Sequence, residues 1–417
     1  MSTTTLPSLE NRITTVDALR GFALFGILYS HMIFWYTAGP LPQKLYSEGI
    51  DAASGIAMGI YGLLFFSKFF SFFSFLFGLS FYIQMKSLMR RNENFILRYG
   101  WRLFILGIIG LLHHALWRGD ILSIYVPLGF LLIFVRHLNT KIILIIGLVL
   151  ILNIPTKIYE AVTIALNSAV ENPMKNMEKE GQHYYDIVKS APFMEVVNDN
   201  IKALPTKFDY QISSGRLVIT FGFFLLGMFA GRKEWFENLD STKPQIKKIW
   251  ATTSYILIGT LGVGIVIAMM NFSLDLKLQE NKWVMWFGGQ LIDILNSGLT
   301  IFYIAGLTLL MYKPRWQKIL FPLADIGKMA LTSYLMQTLF GLLLFYSFGL
   351  GLFTETTPAI NALLCLGIFA FQILFSKLWL MYFKFGPVEW IWRSLTFLKF
   401  QPLINKQPET VPVTIEK

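Results

Sequence analysis

Histidine and acidic side chains occur inside apolar segments of the chain, where an ionisable group costs at least a few kcal/mol unless it is paired or hydrated. His31 lies in the first apolar segment, and His113 and His114 end the third, shortly before Asp120 in the turn HHALWRGDIL. A neutral imidazole is a suitable general base near neutral pH, and a carboxylate can orient it. We therefore treat these four residues as candidate catalytic groups. The structural alternative is that each histidine only hydrogen-bonds a neighbouring helix.

Five positions in the eighth apolar segment share one face of a helix. They are Gly289, Asp293, Asn296, Thr300 and Tyr303, separated by steps of four, three, four and three. Residues with this spacing form one stripe, which lines either a cavity or a polar contact between helices. The carboxylate of Asp293 in mid-membrane favours the cavity, because purely structural stripes are usually built from Gly, Ala and Ser.

Two lysines also lie in or beside apolar segments. Lys68 interrupts FFSKFFSFFSFLFG, where small residues at helical spacing predict close helix packing, and its ammonium could pair with a carboxylate or reach a phosphate. Lys328 follows Asp325 by three residues, a spacing at which opposite charges neutralise each other on a helix. We expect this pair near the cytoplasmic face.

The composition indicates that the elements carrying these groups lie in a membrane. Of the 417 residues, 54% are hydrophobic and 15% are charged, whereas about a quarter are charged in a typical soluble domain. The net charge of +11 would suggest nucleic acid in a soluble protein, but in a membrane protein it more often reflects cytoplasmic loops facing anionic lipid. We therefore expect the lipid bilayer, and not nucleic acid, as a partner. The single cysteine, Cys365, excludes an internal disulfide and a Cys-rich metal site.

The apolar segments have the length of transmembrane helices. A bilayer core about 30 Å thick requires roughly 20 apolar residues per helix. About ten such windows occur, which predicts an all-α polytopic membrane bundle of about ten transmembrane helices. They lie near residues 17–37, 55–85, 99–117, 120–136, 141–163, 214–231, 249–271, 283–311, 319–350 and 358–383. The second and ninth are long enough to be tilted, kinked or joined to a short interfacial helix.

The distribution of Lys and Arg predicts the orientation of the bundle. Fourteen of the 18 that lie in short connections fall in alternate ones, and such residues are retained in the cytoplasm. Both termini should therefore be cytoplasmic in a multi-pass protein of the cell membrane. The expected organisation is helices one to five in 1–163, an extracytoplasmic insert in 164–213, helices six to ten in 214–383, and a cytoplasmic interfacial helix and tail in 384–417.

Several common catalytic motifs are absent from the sequence. It has no Walker-type phosphate loop, no HExxH zinc helix and no GxSxG elbow. We therefore expect no metal, and ATP-driven transport and soluble-type serine hydrolysis lose support. The lack of a convincing internal repeat slightly disfavours transporters built from inverted repeats.

Six segments resemble the bacterial YeiB family of multi-span membrane proteins, whose function is unassigned. They are RITTVDALRGFALFGIL, FFSKFFSFFSFLFG, HHALWRGDILSIYVPLG, GRLVITFGFFLLGMFAGR, DIGKMALTSYLMQTLFG and KFGPVEWIWRSLTF. The resemblance covers nearly the whole chain, and the last two segments are the most specific.

The first helix is also similar to that of the transmembrane acyltransferases, which include heparan-α-glucosaminide N-acetyltransferase and the bacterial sugar O-acyltransferases of acyltransferase family three. The O-acyltransferases share an Arg followed eleven residues later by a catalytic His, and Arg20 with His31 reproduces this spacing. Many YeiB relatives and the heparan enzyme carry Asn at the position of His31, so His31 is a departure toward the O-acyltransferase pattern. The catalytic His of the heparan enzyme falls where this chain reads PLPQ.

This resemblance implies transfer of an acetyl-type acyl group from cytoplasmic acyl-CoA, the donor substrate, to a hydroxyl or amine of an extracytoplasmic small molecule or glycan. It makes His31 the general base, with His113, His114 or Asp120 orienting the base or the acceptor. Residues on the Asp293 stripe would line the tunnel. Basic residues at the inner mouth would hold the CoA phosphates; they are Arg20, Lys68, Arg98, Arg102 and Lys328.

Two other functions stay open at this point. A permease or exporter of a small polar or anionic solute would use the intramembrane charges in a pathway that opens alternately to each side. A scaffold or lipid-binding assembly factor would use the polar stripes as helix contacts, without a cavity. An acyltransferase would instead have a dead-ended tunnel with a base near its middle. The sequence also leaves a homodimer open.

Overall fold

The computed structural model describes residues 13–47, 50–166, 173–237, 239–274 and 277–405. Within these ranges the chain is helical, with no β-strand beyond a single bridge between Phe383 and Ile404. The ends of the expected domains, residues 1–12 and the tail at 406–417, lie outside the described residues, as does part of the insert at 167–172.

Helices occupy every window that the hydropathy pattern predicted. They are α1 (Thr14–Met32), α2 (Ala52–Ile60), α3 (Phe69–Met89), α4 (Phe95–Leu116), α5 (Leu122–Val135), α6 (Thr140–Ile151), α7 (Ile154–Ala165), α8 (Pro173–Ser190), α9 (Phe193–Lys202), α10 (Leu204–Ser213), α11 (Arg216–Arg232), α12 (Leu239–Leu274), α13 (Lys282–Leu310), α14 (Pro314–Lys328), α15 (Ala330–Phe345), α16 (Pro358–Tyr382) and α17 (Pro387–Phe397).

The all-α membrane bundle is confirmed by the length and composition of these helices. Among the described residues, five helical segments are long and apolar enough to cross a membrane, and up to eight if each bent pair is one span. The remaining two windows contain α1, which carries Asp17 and Arg20, and the shorter apolar helix α5. The protein is therefore a helical membrane protein.

Several of the long apolar stretches are broken inside the bundle. The second window passes from α2 through a π-helical turn at Tyr61–Phe65 before α3 begins, and the ninth divides into α14 and α15, which meet at 84°. The sequence predicted that these two windows could bend. It did not predict the 43° bend between α6 and α7, where Asn153 has a left-handed backbone (φ 56°). Irregular backbone at membrane depth is tolerated only where protein or a cavity surrounds it.

Close helix contacts set the position of the charged residues of α1. A Cβ atom at Gly21 would lie 2.0 Å from the carbonyl oxygen of Leu323, and one at Gly327 would lie 1.8 Å from that of Asp17. Only glycine allows α1 and α14 to approach so closely, and the approach brings Arg20 and Lys328 to the wall of one cavity. Likewise, a Cβ at Gly78 would lie 1.9 Å from the carbonyl oxygen of Phe224, so α3 and α11 pack tightly, as the small residues of α3 predicted.

The insert and the last helix lie at opposite ends of the bundle. At the C-terminal end of α4, Asn200 of the insert donates to the carbonyl oxygen of Ala115 at 3.2 Å. Near the N-terminal end of α4, the indole of Trp392 in α17 donates to the carbonyl oxygen of Arg102 at 3.1 Å. Because a helix rises about 1.5 Å per residue, these contacts are roughly 20 Å apart along α4. We call the end that contains α17 the inner end, since the charge pattern predicts that it faces the cytoplasm.

Candidate functional site

A cavity of about 250 Å³ lies between α1, α3, α4, α5, α14, α15 and α17. Polar side chains surround its inner end: Arg20, Ser80, Gln84, Arg102, Lys328, Glu389 and Trp392. Apolar side chains form its body: Phe73, Leu76, Phe77, Leu103, Leu106 and Leu331. The volume is slightly below the roughly 300–1,000 Å³ of common small-molecule pockets, so a narrow extended chain fits better than a compact ring system.

Three of the five predicted phosphate-binding residues line this cavity. Arg20 donates to Asp17 at 2.6 Å and to Ser80 at 2.7 Å, which fixes its guanidinium at the wall. Lys328 pairs with Asp325 at 2.9 Å, as the sequence predicted. The guanidinium of Arg102 lies 3.7 Å from the centre of the Trp392 ring, and this cation–π contact joins α4 to α17 at the cavity wall.

A partly buried carboxylate lies beside these cations on the cavity wall. Glu389 accepts hydrogen bonds from the backbone N–H groups of Leu331 and Thr332 at 2.6 and 3.0 Å, and from the Thr332 hydroxyl at 2.5 Å. It therefore caps the first turn of α15 from a different helix, where a negative charge is favoured by the helix dipole. Burial raises the pKa of the Glu389 carboxyl above its ordinary value.

Two predicted phosphate-binding residues lie away from the cavity wall. Lys68 is 2% exposed, and its ammonium donates to the carbonyl oxygen of Gly62 at 2.9 Å, at the end of the π-helical turn. A cation at that position complements the negative end of a helix dipole. Arg98 donates to Glu93 at 3.2 Å and to the carbonyl oxygen of Thr396 at 3.1 Å. Both side chains have partners within the protein.

The deep end of the cavity is formed by α1, α5 and α15. It is lined by Ile27, Ile121, Leu122, Tyr125 and Tyr334. The Tyr334 hydroxyl accepts a hydrogen bond from the backbone N–H of Ile121 at 3.2 Å, which ties α15 to the turn before α5. The cavity therefore ends beside the turn that carries Asp120.

Behind this end, His113 and Asp120 form a hydrogen-bonded pair. Nδ1 of His113 lies 2.8 Å from Oδ1 of Asp120, and both side chains are buried. Nε2 of His113 lies 2.8 Å from the hydroxyl of Thr338, and the His113 ring packs edge-on against Tyr334, with centroids 4.9 Å apart. When Nδ1 donates to the carboxylate, Nε2 carries the lone pair, which is the arrangement of a general base.

The same carboxylate is held by its own turn and by the insert. Asp120 accepts hydrogen bonds from the N–H groups of Leu122 at 3.1 Å and Ser123 at 2.7 Å. Lys207 of α10 lies 3.8 Å from Asp120 and donates to the Ser123 hydroxyl at 2.8 Å. These contacts fix the carboxylate and balance part of its charge.

His114 faces the insert and not the cavity. Its Nε2 donates to the carbonyl oxygen of Asn200 at 2.8 Å, and its Nδ1 accepts from Lys207 at 3.2 Å. Both ring nitrogens are engaged, so His114 joins the membrane helices to the insert.

His31 lies on the outer side of the deep end, one turn after Ile27 on the same helix. Its ring packs edge-on against Trp117, with centroids 4.7 Å apart, and lies 5.5 Å from the Tyr36 ring. The Trp117 ring also lies 5.8 Å from His113. The fold thus brings three of the four candidate catalytic residues, His31, His113 and Asp120, to one end of the cavity.

The polar stripe of α13 lies apart from this cavity and contacts other helices. Asp293 accepts a hydrogen bond from Asn153 at 3.0 Å and lies 3.9 Å from the ammonium of Lys157. The hydroxyl of Thr300 lies 3.0 Å from the carbonyl oxygens of Lys68 and of Asn296, and Tyr303 donates to the carbonyl oxygen of Leu64 at 3.1 Å. The stripe therefore contacts the α6–α7 bend and the break before α3.

Several residues of the site were not predicted from the sequence. Glu389 lies in the segment GPVEW, which the sequence marked as specific but assigned to a surface helix. Tyr334 and Thr338 are four residues apart and share one face of α15, which is a weak signal. Lys207 and Asn200 lie in the polar insert, and no sequence pattern connects them to His114.

The comparisons with known proteins agree with the motifs. Residues 230–399 match the family described as "Protein of unknown function (DUF418)". The chain is 28% identical over 420 residues to the uncharacterized protein YxaH of Bacillus subtilis (strain 168), covering 96% of this chain and 98% of YxaH. It is 26% identical over 403 residues to an uncharacterized 39.9 kDa protein in the amylase 3′ region of Bacillus acidopullulyticus, covering 96% and 98%.

It is also 27% identical over 422 residues to the uncharacterized protein YeiB of Escherichia coli (strain K12), covering 95% of this chain and 99% of YeiB. No solved structure matches the chain significantly. The further relation to transmembrane acyltransferases stays a prediction. The resemblance to the YeiB family, which the sequence motifs predicted, is confirmed over nearly the whole chain.

Proposed function

We propose that this protein is a membrane acyltransferase. It moves an acyl group from cytoplasmic acyl-CoA to a hydroxyl or amine of an acceptor outside the cell membrane. The observation that carries the proposal is the cavity that begins at Arg20, Arg102 and Lys328 and ends at Tyr334, against which the His113 ring packs. Cations at the inner end of one narrow cavity, with an oriented imidazole directly behind Tyr334 at its deep end, suit a donor that has an anionic head and a reactive group at the end of a long arm.

The donor side follows from charge and size. Guanidinium and ammonium groups bind phosphate oxygens through charge-assisted hydrogen bonds, so the CoA phosphates stay at the inner end. The cavity of about 250 Å³ accommodates the thin arm that carries the thioester. Arg102 and His113 are eleven residues apart on α4, about 16 Å along the helix axis, which is the span that the arm must cover.

The acceptor side uses the His113–Asp120 pair. Nε2 of His113 removes the proton from the acceptor hydroxyl or amine as its oxygen or nitrogen attacks the thioester carbonyl carbon. The new C–O or C–N bond forms, the C–S bond breaks, and the CoA thiolate takes the proton from the imidazolium. Asp120 orients the ring and stabilises the imidazolium, while Thr338 Oγ1 now occupies the position at Nε2 that the acceptor would take. His31 would contact the acceptor from the other side of Trp117.

The proposal is tested by label transfer. Purified protein in nanodiscs is incubated with radiolabelled acetyl-CoA and cell-envelope extract, and label in the extract fraction is measured for wild type, His113→Ala, His31→Ala and the control His137→Ala. His137 is exposed and lies after α5, away from the cavity. We expect transfer in wild type and in His137→Ala, and a loss of at least about 100-fold in His113→Ala. Absence of both CoA binding and label transfer in wild type would rule out the acyltransferase.

A second candidate function, a permease or exporter of a small anionic or polar solute, is supported by one observation. At the bend between α6 and α7, Asn153, Lys157 and Asp293 form a partly buried polar group beside a broken helix, an arrangement found at transporter binding sites. Solute uptake into proteoliposomes that is abolished by Asp293→Asn would support this function. No Asp293-dependent uptake across a broad solute panel would exclude it.

A further inference from the structure

We propose that α17 is a lid over the inner end of the cavity, latched by Glu389 onto the first turn of α15, and that it moves aside to admit an anionic ligand. The identity of that ligand as acyl-CoA rests on the proposed function. The lid itself rests on the contacts of α17. Besides the latch, three hydrogen bonds to α4 hold α17 and would open with it: those of Arg98 to Thr396, Trp101 to Leu395 and Trp392 to Arg102.

The latch is a set of hydrogen bonds between two helix N-termini. Glu389 accepts from the N–H groups of Leu331 and Thr332 and from the Thr332 hydroxyl, and that hydroxyl in turn accepts from the N–H of Val388 at 3.0 Å. Glu389 thereby occupies the position on α15 that a phosphate or carboxylate of a ligand would otherwise take. The Glu389 carboxylate is therefore an anion of the protein itself, next to the cations Arg20, Arg102 and Lys328 on the cavity wall.

The residue that begins the lid fits this role. A Cβ atom at Gly386 would lie 2.2 Å from Oε2 of Glu389 and 2.8 Å from the Thr332 hydroxyl. Only glycine leaves room for the carboxylate to fold back against the start of its own helix while it caps α15. The segment GPVEW is therefore explained by the latch: glycine gives space, proline begins α17, and glutamate makes the contact.

The lid also covers a phosphate-binding candidate. Trp392 of α17 lines the cavity, and its ring lies 3.7 Å from the Arg102 guanidinium. A nucleotide phosphate that binds Arg102 in a bidentate manner needs the edges of the guanidinium free and the space beside it open. The cavity of about 250 Å³ is too small for a nucleotide while α17 is in place.

Cysteine accessibility tests the lid without relying on catalysis. The one cysteine, Cys365, is buried and is replaced by alanine, and Gln84→Cys then places a thiol on the cavity wall. The rate of labelling by a polar maleimide is measured on the full-length protein in nanodiscs. We expect slow labelling with the latch intact and an increase of about tenfold or more in Glu389→Gln and in Thr332→Val. Labelling should be unchanged in Ile391→Ala, which alters an exposed side chain of the same helix.

A reversible disulfide across the latch gives a second test of the lid. Thr332→Cys with Glu389→Cys, in the Cys365→Ala chain with Gln84 kept, places one thiol on each side of the latch, and thiol titration shows whether the disulfide has formed. We expect the oxidised protein to bind no radiolabelled CoA and the reduced protein to bind it. The lid proposal would be overturned by either of two results. One is fast labelling of Gln84→Cys with the latch intact, and the other is a labelling rate that neither latch variant changes. Faster labelling of the latch variants without CoA binding to any form would support the lid and refute the proposed donor.

Discussion

The inner cavity and the α13 stripe both contain polar side chains on membrane helices, but the surroundings of these side chains differ. Arg20, Arg102 and Lys328 come from three helices and converge on open space. Asp293 and Thr300 come from one helix, and their polar atoms are engaged by neighbouring helices. The sequence predicted a cavity at both places. The difference shows that the polar groups of a helix face can hydrogen-bond to neighbouring helices as readily as to a ligand.

The reason lies in what faces each helix. The α13 stripe lies against two breaks, at Asn153 and before α3, where carbonyl and amide groups lack their helical partners and need side chains to bond them. At the inner cavity Arg20, Arg102 and Lys328 line open space, while Asp17, Asp325 and Glu389 offset part of their charge. Open space beside several cations is what an anionic ligand requires.

The largest effect expected is on chemistry at the deep end of the cavity. His113→Ala should reduce acyl transfer by about 10²–10⁴-fold, the usual contribution of a positioned general base. Asp293→Asn should leave the transfer rate within about threefold of wild type, because the α13 stripe lies apart from the cavity. The rates of radiolabel transfer by the two variants are measured at matched protein concentration and compared with the rate of wild type. Equal losses in the two variants would show that the stripe belongs to the same functional site.

The next effect concerns ligand binding at the inner end. Lys328→Gln should weaken CoA binding by roughly 10- to 100-fold, which corresponds to about 1.5–3 kcal/mol for a hydrogen bond to a charged group. Lys247→Gln is the matched control, because Lys247 is also basic but is exposed on α12 and does not line the cavity. Equilibrium binding of radiolabelled CoA to both variants is the measurement. Stronger loss in the control would place the anion site elsewhere.

On the α13 stripe the main effect should be on stability. Asp293→Leu removes the acceptor of Asn153 and a charge partner of Lys157, whose side chain is 11% exposed, so the Lys157 ammonium keeps only Glu160 at 2.9 Å. We expect a loss of about 1–3 kcal/mol of stability with CoA binding unchanged. Thermal unfolding in detergent micelles, followed by tryptophan fluorescence, measures the loss of stability. Equilibrium binding of radiolabelled CoA measures whether the CoA affinity changes. An unchanged unfolding temperature would contradict the structural role.

The smallest effect should come from Thr300. Thr300→Val removes a buried hydroxyl that donates to the carbonyl oxygen of Lys68 or of Asn296, at a cost of about 0.5–1.5 kcal/mol. Thermal unfolding should detect the loss, and acyl transfer should not change. A transfer defect without a loss of stability would indicate that α13 contacts the substrate.

Much of the site was visible in the sequence as residue types. The placement of Arg20 and His31 on one helix followed from their spacing of eleven residues in one apolar segment, and the Asp325–Lys328 pair followed from its i, i+3 spacing. The partners of these residues were not visible, since Thr338 is 225 residues from His113 and Glu389 is 57 residues from Thr332. Local periodicity gives the face of a helix on which a residue lies and carries no information about the helix opposite.

The sequence by itself determined that this is an all-α membrane protein, where its apolar helices lie, and which charges they carry. These properties depend on composition and on local spacing, because the bilayer requires apolar helices of a fixed length. Only the tertiary structure decided that Arg20, Arg102 and Lys328 share one cavity, that His113 pairs with Asp120 at its end, and that the α13 stripe is filled. The shared cavity and the hydrogen-bonded stripe depend on close contacts between helices distant in sequence, such as the approach of α1 to α14 at Gly327. His113 and Asp120 are only seven residues apart, and the packing of His113 against Tyr334 of α15 is what places their pair beside the cavity.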